Sequence, residues 1–354
     1  MTAGIFLFAA VVWPARAAFT SCYVFGDGVS TTTNGPGGAS YYGKRYSNGR
    51  VWVEVLAQRQ GLAYESNKNW SYFGHYSPNL VTNITRFTSP PDANAALFVI
   101  WVSDADFVYD MSNYAPYAAS NLAVWTNAIN QSLTNHLKAI QALYAKGART
   151  LIMPNAVDIT KIPYYAGLPS ANKSFVRQRI IDFNDAFLGI LQQARESLPG
   201  LVIYVPDFFR LVDNLLAHPA DYGVTNAVYN GLTVDALSDP SLTDKSLNGP
   251  GANYIFWDYL NPTAKVSVLI ADTAQQLISS VQISSLTWVS GTNRLEMTNI
   301  PIGRNGFVDG STNFVAWTVE ASINSINATQ MTFVQASGPL RLYRLRFPFT
   351  WSWP

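Results

Sequence analysis

The chain has 354 residues, 48% of them hydrophobic and 13% charged, with a formal net charge of +1. That length and apolar content suffice for one large domain with its own core and a small additional module. With no cluster of Lys or Arg, the charge balance argues against nucleic acid or an anionic membrane surface as a partner.

The first segment, residues 1–17 (MTAGIFLFAAVVWPARA), carries an apolar run from Ile5 to Trp13 and then the small-x-small pattern Ala15-Arg16-Ala17. It reads as a signal peptide and predicts a protein that is secreted, periplasmic or held at the cell surface. A buried strand or helix is the other reading, because no Lys or Arg precedes the apolar run. Cys22 is the single cysteine, so no intrachain disulfide forms. It follows the apolar run closely enough to suggest a lipid anchor, but Phe19-Thr20-Ser21 is a poor lipobox and Cys22 suits the start of a buried strand. No later stretch approaches the ~18 apolar residues that a membrane span needs.

Strand-like runs follow at Cys22–Gly26, Leu62–Glu65, Ala96–Ser103, Arg149–Pro154 and Leu201–Pro206. Helical periodicity alternates with them. A short helix is expected from Val51 to Gln60, and Leu122, Trp125, Ile129, Leu133, Leu137, Ile140 and Tyr144 recur at spacings of three and four before Lys146-Gly147. A second stripe, Val176, Ile180, Phe183, Phe187, Leu191, Ala194 and Leu198, stops at Pro199-Gly200. A last helix is expected from Pro262, capped by Asn261. The alternation predicts an α/β domain over 18–281 with a parallel sheet covered on both faces. From 282 to 354 the texture changes to short alternating runs such as LTWVSG, NRLEMTNI and NFVAWTVEA, which read as a small antiparallel β module without catalytic residues.

The blocks FGDGVS, SNGRVWVEVLA, ALFVIWVSDADF, HPADYGVTNAV and FWDYLNPTAK resemble those of the GDSL/SGNH hydrolases in order and spacing, from about Cys22 to Ser280. The resemblance implies a three-layer α/β/α domain with a five-stranded parallel sheet, and hydrolysis of esters on lipids or carbohydrates. In that family the turn after the first strand reads Gly-Asp-Ser, the serine being the nucleophile; here Gly28 holds its position. The Gly-x-Asn-Asp block, whose asparagine donates to the oxyanion, reads Ser103, Asp104, Ala105 and Asp106. The Asp-x-x-His block keeps its aspartate as Asp258, while Asn261 stands for the histidine base and Tyr259 lies between them. Gly74, in YFGHYS, matches the second block's glycine.

Acyl transfer needs a nucleophile, a base and oxyanion donors together. With three of them replaced, family-type hydrolysis is expected to be weak or absent. A crevice lined by Gly28, Gly74, Asp104 and Tyr259 would then bind a small molecule, or a glycan or lipid ester. The rival expectation is an active hydrolase with substitute groups. Ser30 or Ser103 would serve as nucleophile, His75 as base, or Asp27, Asp104, Asp106 and Asp258 as paired carboxyls for ester or glycosidic bonds. The plainer reading has Asp27 and Asp106 tying down their turns, Ser30 capping the segment that follows, and His136 and His218 as structural residues. Oxygen-rich clusters also suit hard cations, but no metal or cofactor is expected.

Overall fold

CYVFG, apolar or small at every position and buried throughout, forms the first strand, β1 (Cys22–Gly26). LFVIW forms the second, β2 (Leu97–Trp101), equally buried. Both belong to a computed structural model that describes residues 19–279, 281–313, 315–335 and 341–347. The signal segment expected at 1–17 lies outside the described residues. β3 (Thr150–Ile152) and β4 (Val202–Tyr204) complete a parallel sheet in the order β1-β2-β3-β4. Val24 stands opposite Val99, Val99 opposite Ile152, and Ile152 opposite Tyr204. Cys22 lies inside β1, and burial pushes its thiol up to about 12, a form inert as a nucleophile.

The sheet has four strands among the described residues, where five were expected. Leu62–Glu65 is not one of them. The edge beside β1 is instead taken by Asn69–Tyr72, where the Trp70 N–H donates to the Val24 carbonyl at 2.7 Å and that of Tyr72 to Gly26 at 3.2 Å. The segment stays irregular because Asn69 competes for its own backbone: its Oδ1 accepts the Ser71 N–H at 2.9 Å, and its amide donates to the Ser30 carbonyl at 2.7 Å.

Seven α-helices surround the sheet among the described residues: α1 (Trp52–Arg59), α2 (Ser77–Arg86), α3 (Ser103–Asn113), α4 (Leu122–Ala145), α5 (Ser170–Ser197), α6 (Phe208–Ala217) and α7 (Ala264–Ile278). The stripes expected on α4 and α5 face the core, with Trp125, Ile129, Leu133 and Ile140 buried on one, and Val176, Ile180, Phe183, Phe187 and Leu191 on the other. α1 packs on α7, while α4 packs on both α2 and α5. The connection from β1 out to the Asn69–Tyr72 edge carries α1, and the connections that run the other way across the sheet carry α2, α4 and α5, so right-handed crossovers place the two groups on opposite faces, which makes three layers.

A small hairpin, β5 (Val228–Tyr229) with β6 (Leu232–Thr233), precedes α7. Beyond it lie β7 (Gln282–Val289), β8 (Thr292–Thr298), β9 (Gly306–Ser311), β10 (Thr318–Ile323), β11 (Gln330–Gln335) and β12 (Leu342–Arg346). They form two antiparallel sheets, β10-β9-β12 and β11-β8-β7, around Leu295, Met297, Ile300, Val308, Ile323 and Val334. This module is pinned to the α/β domain at Asp272 of α7. That carboxylate accepts from Arg59 Nε at 2.9 Å and pairs with Arg304, while Arg59 also donates to the Ile302 carbonyl at 3.1 Å. Arg59 belongs to the last turn of α1, at the sheet end away from the strand C-termini.

Candidate active site

Where β1 ends, Asp27 turns the chain: its Oδ1 accepts the Val29 N–H at 3.0 Å and its carbonyl the Ser30 N–H at 3.2 Å. The turn presents Gly28 to a cavity of about 270 Å³ at the C-terminal end of the sheet, also lined by Gly74, Trp101, Asp104, Ala105 and Asn261, with a wall of valine, isoleucine and leucine. A Cβ placed on Gly28 would lie 3.4 Å from Asn261 Oδ1. Residues 28 and 261 therefore face each other across the crevice. The same Cβ would lie only 2.9 Å from Cδ2 of Phe73. The Phe73 ring, 43% exposed and stacked on Tyr46 with 4.7 Å between centroids, would have to shift to admit a side chain at 28.

Asn261 is held by Asp258. Its Nδ2 donates to Asp258 Oδ1 at 2.9 Å and Oδ2 at 3.2 Å, and Oδ1 also accepts the N–H groups of Leu260 at 2.9 Å and Asn261 at 2.8 Å. The Tyr41 hydroxyl reaches Oδ2 at 3.3 Å. Burial raises the Asp258 pKa above its ordinary value, against the pull of these donors. Asn261 does not cap the last helix, as was expected. Its amide is committed to Asp258 and its carbonyl accepts the Trp257 N–H at 2.9 Å, so the helix starts two residues beyond Pro262 and Thr263 caps it, Oγ1 accepting the Val266 N–H at 3.4 Å.

The profile of the GDSL-like lipase/acylhydrolases matches residues 23–274 of this chain. The chain belongs to that family. It is 20% identical over 269 residues to the thermolabile hemolysin of Vibrio parahaemolyticus, covering 70% of this chain and 61% of the hemolysin, so it spans less than two thirds of that relative's length. A GDSL esterase/lipase of Arabidopsis thaliana is 23% identical over 316 residues, covering 73% of this chain and 86% of its own. A solved α/β hydrolase from the metagenome of Lake Arreo covers 73% of this chain and 94% of its own at 10% identity and a TM-score of 0.37, a likeness too loose to argue from.

In this GDSL-family chain, several expected substitutes lie away from the cavity. Ser30 is fully buried beneath the turn, and its Oγ accepts the Trp52 indole N–H at 3.0 Å, because two residues past Gly28 the chain points its side chain at α1. Ser103 opens α3 with its hydroxyl buried and without a partner among the described residues, and does not line the cavity. His75 lies next to Gly74 but turns outward: Nδ1 meets the Asn83 amide at 3.2 Å, the ring packs on Tyr72 at 4.6 Å, and burial lowers its pKa. Tyr259 is on the outer surface against Tyr164, 5.3 Å between centroids. His136 is buried in α4, and His218 follows the last turn of α6. Gly74, at φ +75°, lines the cavity with open space where a Cβ would go.

The carboxyls divide between two places. Asp27 and Asp104 line the cavity, and Asp104 Oδ1 accepts the Val157 N–H at 2.9 Å. Asp106 turns instead into the packing of α2 and α4, accepting the Ser77 N–H at 2.8 Å and the Ser132 hydroxyl at 2.6 Å. Burial pushes Asp27 up to about 7. Asp104 stands well above the usual carboxylate range, through burial first and the charge of Asp27 second. Asp110, which sequence reasoning passed over, is pushed up to about 7 by burial and by Asp106. Among the described residues no group of His, Cys, Asp and Glu side chains is arranged to hold a metal ion. The residue missed most consequentially is Phe73: it lies in an aperiodic loop, and its part depends on the side chain that Gly28 lacks.

Proposed function

We propose that this protein binds an acyl-bearing ligand, a glycan or lipid ester, in the Gly28 cavity and hydrolyses it little or not at all. The observation that carries this reading is the Phe73 ring in the space where a nucleophile at 28 would stand, 2.9 Å from its would-be Cβ. Asn261, across from it, cannot take up a proton as an imidazole does, and Ala105 brings a methyl group where a donor is needed. Losing a nucleophile or base from such a unit costs on the order of 10⁴ to 10⁶ in rate. The aliphatic wall keeps its use, since pockets of this kind bury the apolar part of a ligand. The apolar run Ile5–Trp13 and the Ala15-Arg16-Ala17 pattern support export.

The test is turnover of a short p-nitrophenyl ester by purified protein, alongside binding of the same acyl chain as its alcohol. Turnover at background with measurable binding is expected. A rate of about 1 s⁻¹ or more, ordinary for an enzyme, overturns the reading. Fractionation of cells making the full chain tests export, which is overturned if all the protein stays in the cytoplasm.

A further inference from the structure

We infer that the Gly28 cavity selects an ester whose alcohol part carries an organic ammonium group. This rests on the binding reading above and names its ligand class. Among the described residues, apart from the phenol of Tyr109, the only ionisable side chains lining the cavity are Asp27 and Asp104, and no Lys, Arg or His lines it. Each spends one oxygen on a backbone N–H, that of Val29 and that of Val157. The other oxygen of each accepts nothing from any other described residue. Two acids turned to one apolar chamber without a cation are costly to ionise, and a guest that brings the positive charge removes that cost.

Aromatic side chains stand around the same space. Phe73, Trp101, Tyr109 and Phe256 line the cavity with the two carboxyls, and aromatic faces beside carboxylates are the surroundings that ammonium groups prefer. The guest's ammonium answers the carboxyls, and its acyl chain lies along Val108, Ile159 and Ile255.

The experiment is calorimetric titration of the whole protein at pH 8 with three probes: hexanoylcholine, its uncharged isostere 3,3-dimethylbutyl hexanoate, and hexanoate. Hexanoylcholine is expected to bind at least about tenfold tighter than the isostere, the worth of one desolvated cation–π contact, and hexanoate weakest of the three. Asp104→Asn keeps an oxygen for the Val157 N–H and should lower the ratio of hexanoylcholine to isostere affinity; Asp27→Asn should lower it too, and the double variant should bring the ratio to about one. A ratio unchanged in the double variant overturns the inference. Equal binding of ester and isostere, or tightest binding of hexanoate, overturns the inference and leaves the acyl-binding reading standing. No binding of any probe overturns both. Because the comparison of probes uses the unmutated protein, it decides even where a variant fails to fold.

Discussion

At the scale of single residues, Gly28 and Phe73 act as one unit, and the site should answer only to changes made in both. Gly28→Ser alone must push the Phe73 ring aside, and it meets Asn261 rather than a base. Gly28→Ser with Asn261→His and Phe73→Ala supplies nucleophile, base and room, with Asp258 already placed to orient residue 261. Ester hydrolysis by this triple variant should rise well above the parent, and Ala105→Asn should add roughly 10², a usual worth for one oxyanion donor. Each single change should do little; steady-state kinetics on an activated ester checks it. Ser30→Ala should leave binding unchanged but cost about 1–3 kcal/mol in urea denaturation, since it orphans the buried Trp52 N–H. Asp110, at about 7 against an ordinary 3.8, holds its proton more tightly folded than unfolded. Its contribution is therefore full below the ordinary value and lost as pH rises from about 4 to about 7. Asp110→Asn should gain on the wild type over that window, by on the order of 4 kcal/mol, and hold the gain above it; thermal melts across pH would show the difference. The three-residue spacing of Asp258 and Asn261 was legible, but not their hydrogen bond, since Asn261 was read as a helix cap. The outward turn of His75 and the Trp52 bond of Ser30 were not, since direction at a turn is settled by what packs beneath.

At the scale of elements, long periodicity was the reliable guide. α4 and α5 present the buried faces that their spacing predicts, because a stripe of that length has one way to reach the core. Short elements were harder. α3 begins at Ser103, directly after β2, where the apolar run was read as strand through to that residue; the polar switch at Ser103-Asp104 is the signal that separates them. The edge segment Asn69–Tyr72 shows the converse, a strand position held by residues whose side chains bond locally instead. The start of α7 was misplaced by two residues because Asn261, a good cap by type, is spent on Asp258. Thr263→Ala should therefore cost about 1 kcal/mol, and its threonine hydroxyl also donates to the Tyr254 carbonyl at 2.8 Å, so the loop before the helix should loosen with it. Chemical denaturation with hydrogen exchange at Val266 would register both.

At the scale of the whole molecule, the cavity and the β module sit on different parts of the α/β domain. Every described residue lining the cavity lies between Asp27 and Ile270, whereas the module grips Asp272 through Arg304, with Arg59 as the second cation. Burial lowers the Arg304 pKa, so its pairing with Asp272 is what keeps the charge tolerable there. Asp272→Ala leaves two buried guanidinium groups unpaired and should cost about 3–5 kcal/mol, while ligand affinity of the folded fraction stays as it was. Denaturation and titration of one preparation would separate the two effects. The change of texture near 282 announced the antiparallel strands, which begin at Gln282, but not the docking contact: Arg304 reaches Asp272 across 32 positions, and Arg59 reaches the Ile302 carbonyl across 243.

The closeness of Phe73 to Gly28 also dictates an order of events. In a laboratory selection for ester cleavage starting from this chain, a serine codon at 28 confers nothing while the aromatic ring overlaps its Cβ at 2.9 Å, so lineages that first shrink residue 73 should be the ones in which serine later takes hold. The path back to an acyl-transfer site thus has a preferred first step, written in one side chain, that of Phe73, and sequencing the successive rounds would read it out.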